Sequence, residues 1–370
     1  MSQGNQKKPM PKGVAGGGSA STMSQMMRNM VETTPVGGAQ LDLSALPEIP
    51  MPNLEGVVVV VPSPGDVTEQ DVLERFNQLC YELSDRKVRK AGDKVNMGDE
   101  VLLDLLGYLG GRVIPFSSQA NIRFVLEPDS FRPGFGNSLA GATVGDTIPV
   151  STQFTYDDLV KGETQATAVF VVGIKGAAEI QFPESFDSPD FLPRLQRGNT
   201  LDEVMDSISE EISEFRSSSM VIQAMDLVME TLASQNKMPL PPSLVEEEIR
   251  VWWGRSEGAF LAAKGISRQD MDSALQGWLQ DKEVRKNAEL RLRTAMVVQA
   301  YLRENAEELT AEEIEAFVDE FAAVNGIDAV AWKASMAENE AEKTALVERY
   351  LYMSAVSDMM DQVNIVFEGE

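Results

Sequence analysis

Residues 98–175 alternate apolar and polar side chains in a pattern that predicts a small β domain. Val101, Leu103 and Leu105 share one face of a predicted strand that begins after the turn at Gly98. A second strand is predicted at 121–126, and a turn-rich segment with one short helix follows at 131–141. Two more strands, at 147–154 and 165–174, close the domain. Several strands around one short helix indicate an α+β fold.

After residue 176 the apolar positions recur every three or four residues, which predicts an all-α region over 177–370. Thr200 and Glu203 form a capping box that opens a helix of about nine turns, ending near Leu232. The other predicted helix signals are caps at Ser243 with Glu246, at Ser267 and at Thr310 with Glu313, one long helix over 268–305, a stop at Asn325-Gly326, and a last helix marked by Leu346, Tyr350 and Met353.

The first 97 residues divide into a tail and a linker. Residues 1–53 are rich in Gly, Ser, Pro and Met, which predicts a disordered tail. Either this tail only aids solubility, or it docks on a partner through a helix over 21–31 that presents Met23, Met26, Met27 and Met30. Residues 54–97 predict a linker made of a strand at 56–61 and a helix capped by Thr68.

Composition removes several function classes. The net charge of −26 opposes binding to nucleic acid or to anionic lipid. The chain has no histidine, which removes the most common general base and zinc ligand. Its single cysteine, Cys80, predicts a reducing, cytoplasmic setting, and no apolar run reaches the roughly 20 residues of a membrane span.

Nucleotide and metal sites receive little support from the sequence. The glycines at 107–111 and 134–136 are not followed by the Lys-Ser/Thr of a phosphate-binding loop. Asp99, Asp104 and Asp146 fit turn and strand-end positions, and the run 246–248 fits a solvated helix face. We therefore expect no cofactor and no metal.

Four motifs in order resemble the FKBP-type prolyl isomerase domain of the trigger factor family. They are Gly-Asp-x-Val-x-x-Asp-x-x-Gly at 98–107, Phe-Arg-Pro-Gly-Phe at 131–135, Leu-Ala-Gly-Ala-Thr-Val-Gly-Asp at 139–146 and Val-Phe-Val-Val-Gly-Ile-Lys at 169–175. The segment Leu-Pro-x-x-Leu-Val-x-x-Glu-Ile at 240–249 and the helices around it resemble the C-terminal domain of the same family. The resemblance implies an antiparallel FKBP-like domain over 98–176, followed by an all-α domain of long helices with arms over 177–370.

That family implies an ATP-independent chaperone that binds unfolded or nascent polypeptides. Two alternatives remain open, an active prolyl isomerase and a dedicated assembly or export chaperone for one client. Nothing in residues 1–53 resembles the Gly-Phe-Arg-x-Gly-Lys loop with which the family docks on ribosomes. Ribosome docking is therefore not predicted, and the sequence is compatible with a monomer or a homodimer.

The resemblance also implies which residues line the isomerase pocket. These positions are Leu105, Ile114, Pro115, Ile122, Phe131, Arg132, Phe135, Tyr156 and Phe170. Such a pocket needs no nucleophile, because an apolar environment and one backbone N–H, here that of Arg132, favour the twisted amide. Leu105 replaces an aromatic ring of the family, and Ile114 with Pro115 replaces Phe followed by an acid. We therefore expect weak or absent isomerase activity.

Overall fold

The protein is described by a computed structural model, which covers residues 46–158, 162–183, 185–188, 190–305 and 310–368. Side chains at 154–165, 311, 335–338 and 340–343 are not described. The chain divides into two compact units. Among the described residues, one unit, the sheet unit, lies within 73–205 and 246–285, and the other, the helical unit, lies within 46–72, 206–245 and 286–368.

A six-stranded antiparallel sheet forms most of the sheet unit. Its strands are β2 (Asp85–Val88), β3 (Asp99–Leu109), β4 (Arg112–Val113), β5 (Gln119–Val125), β6 (Thr147–Asp158) and β7 (Gly162–Gln181). The long strand β7 pairs with β2, β3 and β6, and β3 pairs in turn with β4 and β5. The short helix α2 (Phe135–Leu139) packs against this sheet through Phe135 and Leu139, each 1% exposed.

The period-two pattern of β3 produces the core of this sheet. Val101, Leu103 and Leu105 are each at most 1% exposed and pack with Val172 and Ile174 of β7. The opposite side of β3 is also covered, because Leu106 and Val113 pack with helix residues Leu261 and Ala274. The predicted α+β fold of one antiparallel sheet and one short helix is confirmed, and two strands that the sequence did not predict, β2 and β4, extend the sheet.

Helices complete the sheet unit and build the helical unit. They are α1 (Glu69–Leu83), α3 (Leu201–Gln235), α4 (Pro242–Arg255), α5 (Glu257–Ala263), α6 (Arg268–Gln280), α7 (Lys282–Asn305), α8 (Ala311–Asn325), α9 (Ala329–Glu338) and α10 (Glu340–Gln362). A short 3-10 helix spans Leu192–Leu195. The predicted caps at Thr68, Thr200, Ser267 and Thr310 are confirmed by their hydrogen bonds to the third residue of each helix.

The predicted helix over 268–305 is wrong as a single element, because it breaks at Asp281. This residue is extended, with φ −69° and ψ 128°, and its carboxylate accepts N–H bonds from Glu283 and Val284, both at 2.9 Å. Asp281 therefore starts α7 as a new helix. The cap predicted at Ser243 is also wrong, since α4 begins one residue earlier, at Pro242.

The helical unit contains a parallel strand pair, of which the sequence predicted only the first strand, at 56–61; the second lies in the region predicted to be all-α. β1 (Val58–Val61) pairs with β8 (Asn364–Phe367), and Val59 and Val61 point inward at 4% and 0% exposure. The tail boundary predicted at Asn53 also differs from the structure. Leu46 and Ile49 are buried, and Asn53 exchanges two backbone hydrogen bonds with the side chain of Gln235, at 3.0 and 2.9 Å. Residues 1–45 lie outside the described residues.

Candidate functional site

The apolar positions of the predicted isomerase pocket come together on one face of the sheet. Leu105 from β3, Phe135 from α2 and Phe170 from β7 are 1%, 1% and 4% exposed and belong to one core cluster. The half-buried side chains of Ile114 and Ile122 pack against the same cluster. Topology thus assembles these five residues, but it leaves the first three almost inaccessible to a ligand.

Phe131 lies on the solvent side of this cluster. Its ring centroid is 5.1 Å from that of Phe135 and 5.6 Å from that of Phe170, and its side chain is 43% exposed. The guanidinium of Arg132 lies 5.9 Å from the ring centre of Phe131 and 5.8 Å from that of Phe170, which is cation–π distance. In this arrangement Phe131 and Arg132 cover the two buried rings.

The backbone N–H of Arg132, predicted to bind a substrate carbonyl, has a partner within the chain. It donates to the carbonyl of Ser130 at 2.8 Å, across a tight turn in which Phe131 has φ 67°. A substrate carbonyl would have to replace this bond. The role of the Arg132 N–H as the carbonyl donor therefore stays a prediction that requires this turn to open. Tyr156 lies in strand β6, but its side chain is outside the described residues.

Pro115 and its neighbour Phe116 lie against helix α6. A Cβ atom placed on Gly277 would be only 2.2 Å from Cγ of Pro115, so the proline ring rests on the glycine backbone. The ring of Phe116 stacks on Trp278 at 4.7 Å, and Phe116 has φ 63°. We call residues 114–116 the docking loop, because two of its three side chains contact this helix.

Glu257, at the start of α5, binds both the docking loop and α6. Its side chain is 5% exposed, and Oε2 accepts the indole N–H of Trp278 at 2.7 Å and the backbone N–H of Phe116 at 3.2 Å. The other oxygen, Oε1, is buried without a hydrogen-bond partner in the described structure. The carboxylate therefore joins three segments of the sheet unit at a cost in desolvation.

Asp104 forms a second link between the sheet and these helices. Its carboxylate accepts from Lys264 Nζ at 2.6 Å and from the backbone N–H of Asn121 at 2.9 Å, and Lys175 Nζ lies 3.5 Å away. Burial alone would raise the pKa of Asp104, but the bonds from Lys264 and Asn121 and the charge of Lys175 outweigh it and lower the pKa. The strand-end role expected for Asp104 is wrong, since it lies within β3.

Acid should therefore weaken the sheet unit. Because the folded-state pKa of Asp104 lies below its unfolded value, its contribution is complete above the unfolded pKa and disappears as pH falls through the folded pKa. Urea unfolding from pH 7 to pH 3 should show this loss, and Asp104→Asn should flatten the acid dependence. Asp85→Asn, which breaks an exposed pair with Arg194, is the matched control. If the free energy of unfolding fell equally with pH in the wild type and in Asp104→Asn, the prediction would be contradicted.

The helical unit contains a groove lined by α3, α7 and α10. Its volume is about 490 Å³, and its apolar lining consists of Met225, Met229, Leu290, Ala295 and Tyr352. Two flexible thioethers in the wall allow the surface to adapt to different apolar side chains. Met225 and Met229 lie four residues apart on α3 and so share one helix face, but no sequence pattern indicates that Tyr352 lies beside them.

The rim of this groove is charged. Asp226 and Glu230 lie one turn apart on α3, and Arg291 and Thr294 line the facing helix. Partial burial and the charge of Glu230 raise the pKa of Asp226. Burial and the charge of Asp226 raise the pKa of Tyr352, and the positive charge of Arg291 reduces this increase. Acidic and basic groups thus stand next to an apolar floor.

Other chemistries find little support in the part of the chain that is described. Within it, no cluster of three or more His, Cys, Asp or Glu side chains could hold a metal ion. Cys80 is buried, and burial raises its pKa to about 11, which disfavours the reactive thiolate. Among the described helices, none is both long and apolar enough to cross a membrane.

Comparison with known proteins finds similarity to trigger factors. Residues 200–360 match the family described as "Bacterial trigger factor protein (TF) C-terminus". The chain is 26% identical to a trigger factor from Novosphingobium aromaticivorans over 285 residues, which are 75% of this chain and 53% of that protein. A trigger factor from Paracoccus denitrificans is 30% identical over 208 residues, which are 55% of this chain and 45% of the relative.

A solved structure is also similar, at 16% identity. It is described as "Promiscuous Substrate Recognition in Folding and Assembly Activities of the Trigger Factor Chaperone", and the match covers 85% of this chain and 73% of that chain with a TM-score of 0.34. This chain spans about half the length of the two relatives named above.

Proposed function

Because the chain is a relative of trigger factors, with the family's C-terminal domain at residues 200–360, we propose that it is an ATP-independent chaperone for unfolded or nascent polypeptides. The observation that carries this proposal is the methionine-lined groove of the helical unit. It presents apolar surface to a client, and its charged rim keeps that surface hydrated. The proposed setting is the cytoplasm, and the proposal requires neither ribosome docking nor a homodimer.

The groove has the chemistry of a weak, general binding site. Met225 and Leu290 are half-buried, so part of each side chain is available for contact. A client side chain placed there would bury apolar area, at about 25 cal/mol per Å², without forming directional bonds. Release would then follow from modest affinity and from folding of the client, and nucleotide hydrolysis is not needed.

The test is suppression of aggregation by the full chain. A reporter protein is unfolded in denaturant and diluted into increasing amounts of the chain, and light scattering is measured. Met225→Glu and Leu290→Glu should each weaken client binding about tenfold, because each puts a charge into the apolar wall. A tenfold loss corresponds to about 1.4 kcal/mol of binding free energy. The matched control is Phe215→Glu, which removes a 69% exposed ring elsewhere on α3. Equal losses in all three variants would contradict the groove as client site.

We propose further that the FKBP-like domain is mainly a structural or client-binding module with weak or lost isomerase activity. Three observations support this: the three most buried pocket residues are core residues, Phe131 covers them, and the N–H of Arg132 is bonded to Ser130. An active isomerase remains the alternative. It would require Phe131 to move and the Arg132 turn to open.

Refolding of a test protein limited by X-Pro isomerisation separates these alternatives. We expect substoichiometric amounts of the chain to leave the slow phase unchanged, whereas amounts near one equivalent slow refolding by holding the substrate. Acceleration at catalytic amounts would establish an active isomerase. A lack of effect on any test protein, together with stoichiometric copurification of one partner, would favour a dedicated assembly or export chaperone.

A further inference from the structure

We propose that residues 21–31 of this chain bind in the methionine-lined groove and compete there with clients. The inference rests on the proposed function, because it treats the groove as the client site. The occupant is thus an intramolecular segment that resembles a client. Three independent features support this assignment: the charge of the segment, the spacing of its methionines, and the place where the described chain begins.

The charges of the segment and the groove are complementary. Residues 21–31 contain one basic side chain, Arg28, and no acidic one, and three lysines precede them at 7, 8 and 12, on a chain whose net charge is −26. The groove rim carries two acids, Asp226 and Glu230 on α3, against one base, Arg291 on the facing helix. Partial burial together with Glu230 raises the pKa of Asp226. A nearby cation such as Arg28 would favour the ionised form of this carboxyl. Attraction between the segment and the rim follows.

The methionine spacing suits a helix laid along the groove. Met23, Met26, Met27 and Met30 are separated by three, one and three positions, so a helix over 21–31 presents all four on one face. An amphipathic helix with such a face is a common ligand of apolar grooves between helices. Its thioethers would meet those of Met225 and Met229, and both surfaces can adapt.

The described chain also begins within reach of the groove. The carbonyl of Ile49 accepts from Arg303 at 2.5 Å, and Asn53 is bonded to Gln235 near the end of α3. A cavity of about 210 Å³ lies between residues 49–53 and the helix residues Leu232 and Val297. These helix residues each stand three positions from a groove residue, Met229 and Thr294 respectively.

Distance therefore permits the contact. From Gln235 to Met225, α3 rises about 15 Å, at 1.5 Å per residue. The 15 residues between Met30 and Leu46 reach up to about 50 Å when extended. The seven positions from Leu46 to the anchored Asn53 add at most about 25 Å, so the total path to the groove, about 40 Å, stays within this reach.

Site-specific disulfide formation tests the docking. Met27→Cys in the segment is combined with Thr294→Cys in the groove, in the full chain. The control pairs Met27→Cys with Ser213→Cys, which is exposed on the same helix α3 about 18 Å from Met225. Cys80 is fully buried and its pKa is raised to about 11, so it should not react. With oxidised glutathione, the Thr294 pair should close at least about tenfold faster than the Ser213 pair.

Equal rates for the two pairs would mean that the segment is only tethered, and would overturn the inference. Covalent dimers in place of internal loops would overturn it as well, because the occupant would then be a second copy. If the Thr294 pair closes slowly while the chain still suppresses aggregation, the inference fails and the chaperone proposal stands. If it closes rapidly while aggregation is not suppressed, the docking is supported and the chaperone proposal fails.

Competition is measured with Met23→Ser, Met26→Ser, Met27→Ser and Met30→Ser combined in the full chain. If the segment occupies the groove for 80 to 90% of the time, its removal should raise client affinity about five- to tenfold. The control places serine at Met10, outside the proposed helix. Unchanged client affinity in the fourfold variant would overturn the competition that we propose.

Discussion

Trp278→Ala should destabilise the sheet unit by about 3–5 kcal/mol, the range for truncation of a large buried ring. Trp278 is 6% exposed, stacks on Phe116 at 4.7 Å and meets Trp252 edge-on at 5.2 Å. The substitution leaves a cavity and also removes the N–H that Glu257 accepts at 2.7 Å. Urea unfolding followed by circular dichroism and by the remaining tryptophans would measure the loss.

Two further variants separate packing from hydrogen bonding. Trp278→Phe keeps an aromatic ring but removes the N–H, which should cost about 1–3 kcal/mol because the Glu257 carboxylate stays buried with one donor fewer. Glu257→Gln in the Trp278→Phe background should recover part of that loss, since a neutral amide is easier to bury than a charge. Additive effects of the two substitutions would show that the observed hydrogen bond contributes nothing to stability.

Gly277→Ala should destabilise the same unit by about 2–4 kcal/mol, although alanine is the better helix former. The new Cβ would lie 2.2 Å from Cγ and 2.8 Å from Cβ of Pro115, and a proline ring cannot rotate out of the way. The docking loop would have to leave α6, and Phe116 would lose its stack on Trp278. Thermal and urea unfolding would report the change in stability.

The matched control is Gly254→Ala on α4. A Cβ there meets nothing within 4 Å, so the substitution should stabilise the helix by about 0.5–1 kcal/mol through helix propensity alone. The same chemical change should therefore have opposite signs at the two glycines. A stabilising Gly277→Ala would show that Pro115 does not rest on the helix in solution.

The fold could be predicted from the sequence where local pattern and capping agree. The alternation of Val101, Leu103 and Leu105 identified the central strand, and Thr310 with Glu313 marked the start of α8. The break at Asp281 was missed because the apolar stripe continues across it. β1 and β8 were not paired, since no local signal links residues so far apart in the chain.

The candidate sites were predictable only in part. Resemblance located the pocket residues, and the sheet brings Leu105, Phe135 and Phe170 together. Residue types alone gave no sign that Phe131 covers this cluster or that the N–H of Arg132 is bonded to Ser130. The contacts of Glu257 with the docking loop and of Lys264 with the sheet join positions more than 100 residues apart, which periodicity cannot show.

The pairing of β1 with β8 gives the protein a definite order of assembly. Strand partners about 300 residues apart close a very long loop, and closing it costs entropy that only contacts formed late can offset. During synthesis from the N-terminus, β1 emerges early and must wait for residues 364–367. The sheet unit, complete by residue 285, can fold while β1 is still unpaired. A proposed chaperone of unfolded chains thus carries an apolar strand that stays unpaired through most of its own synthesis.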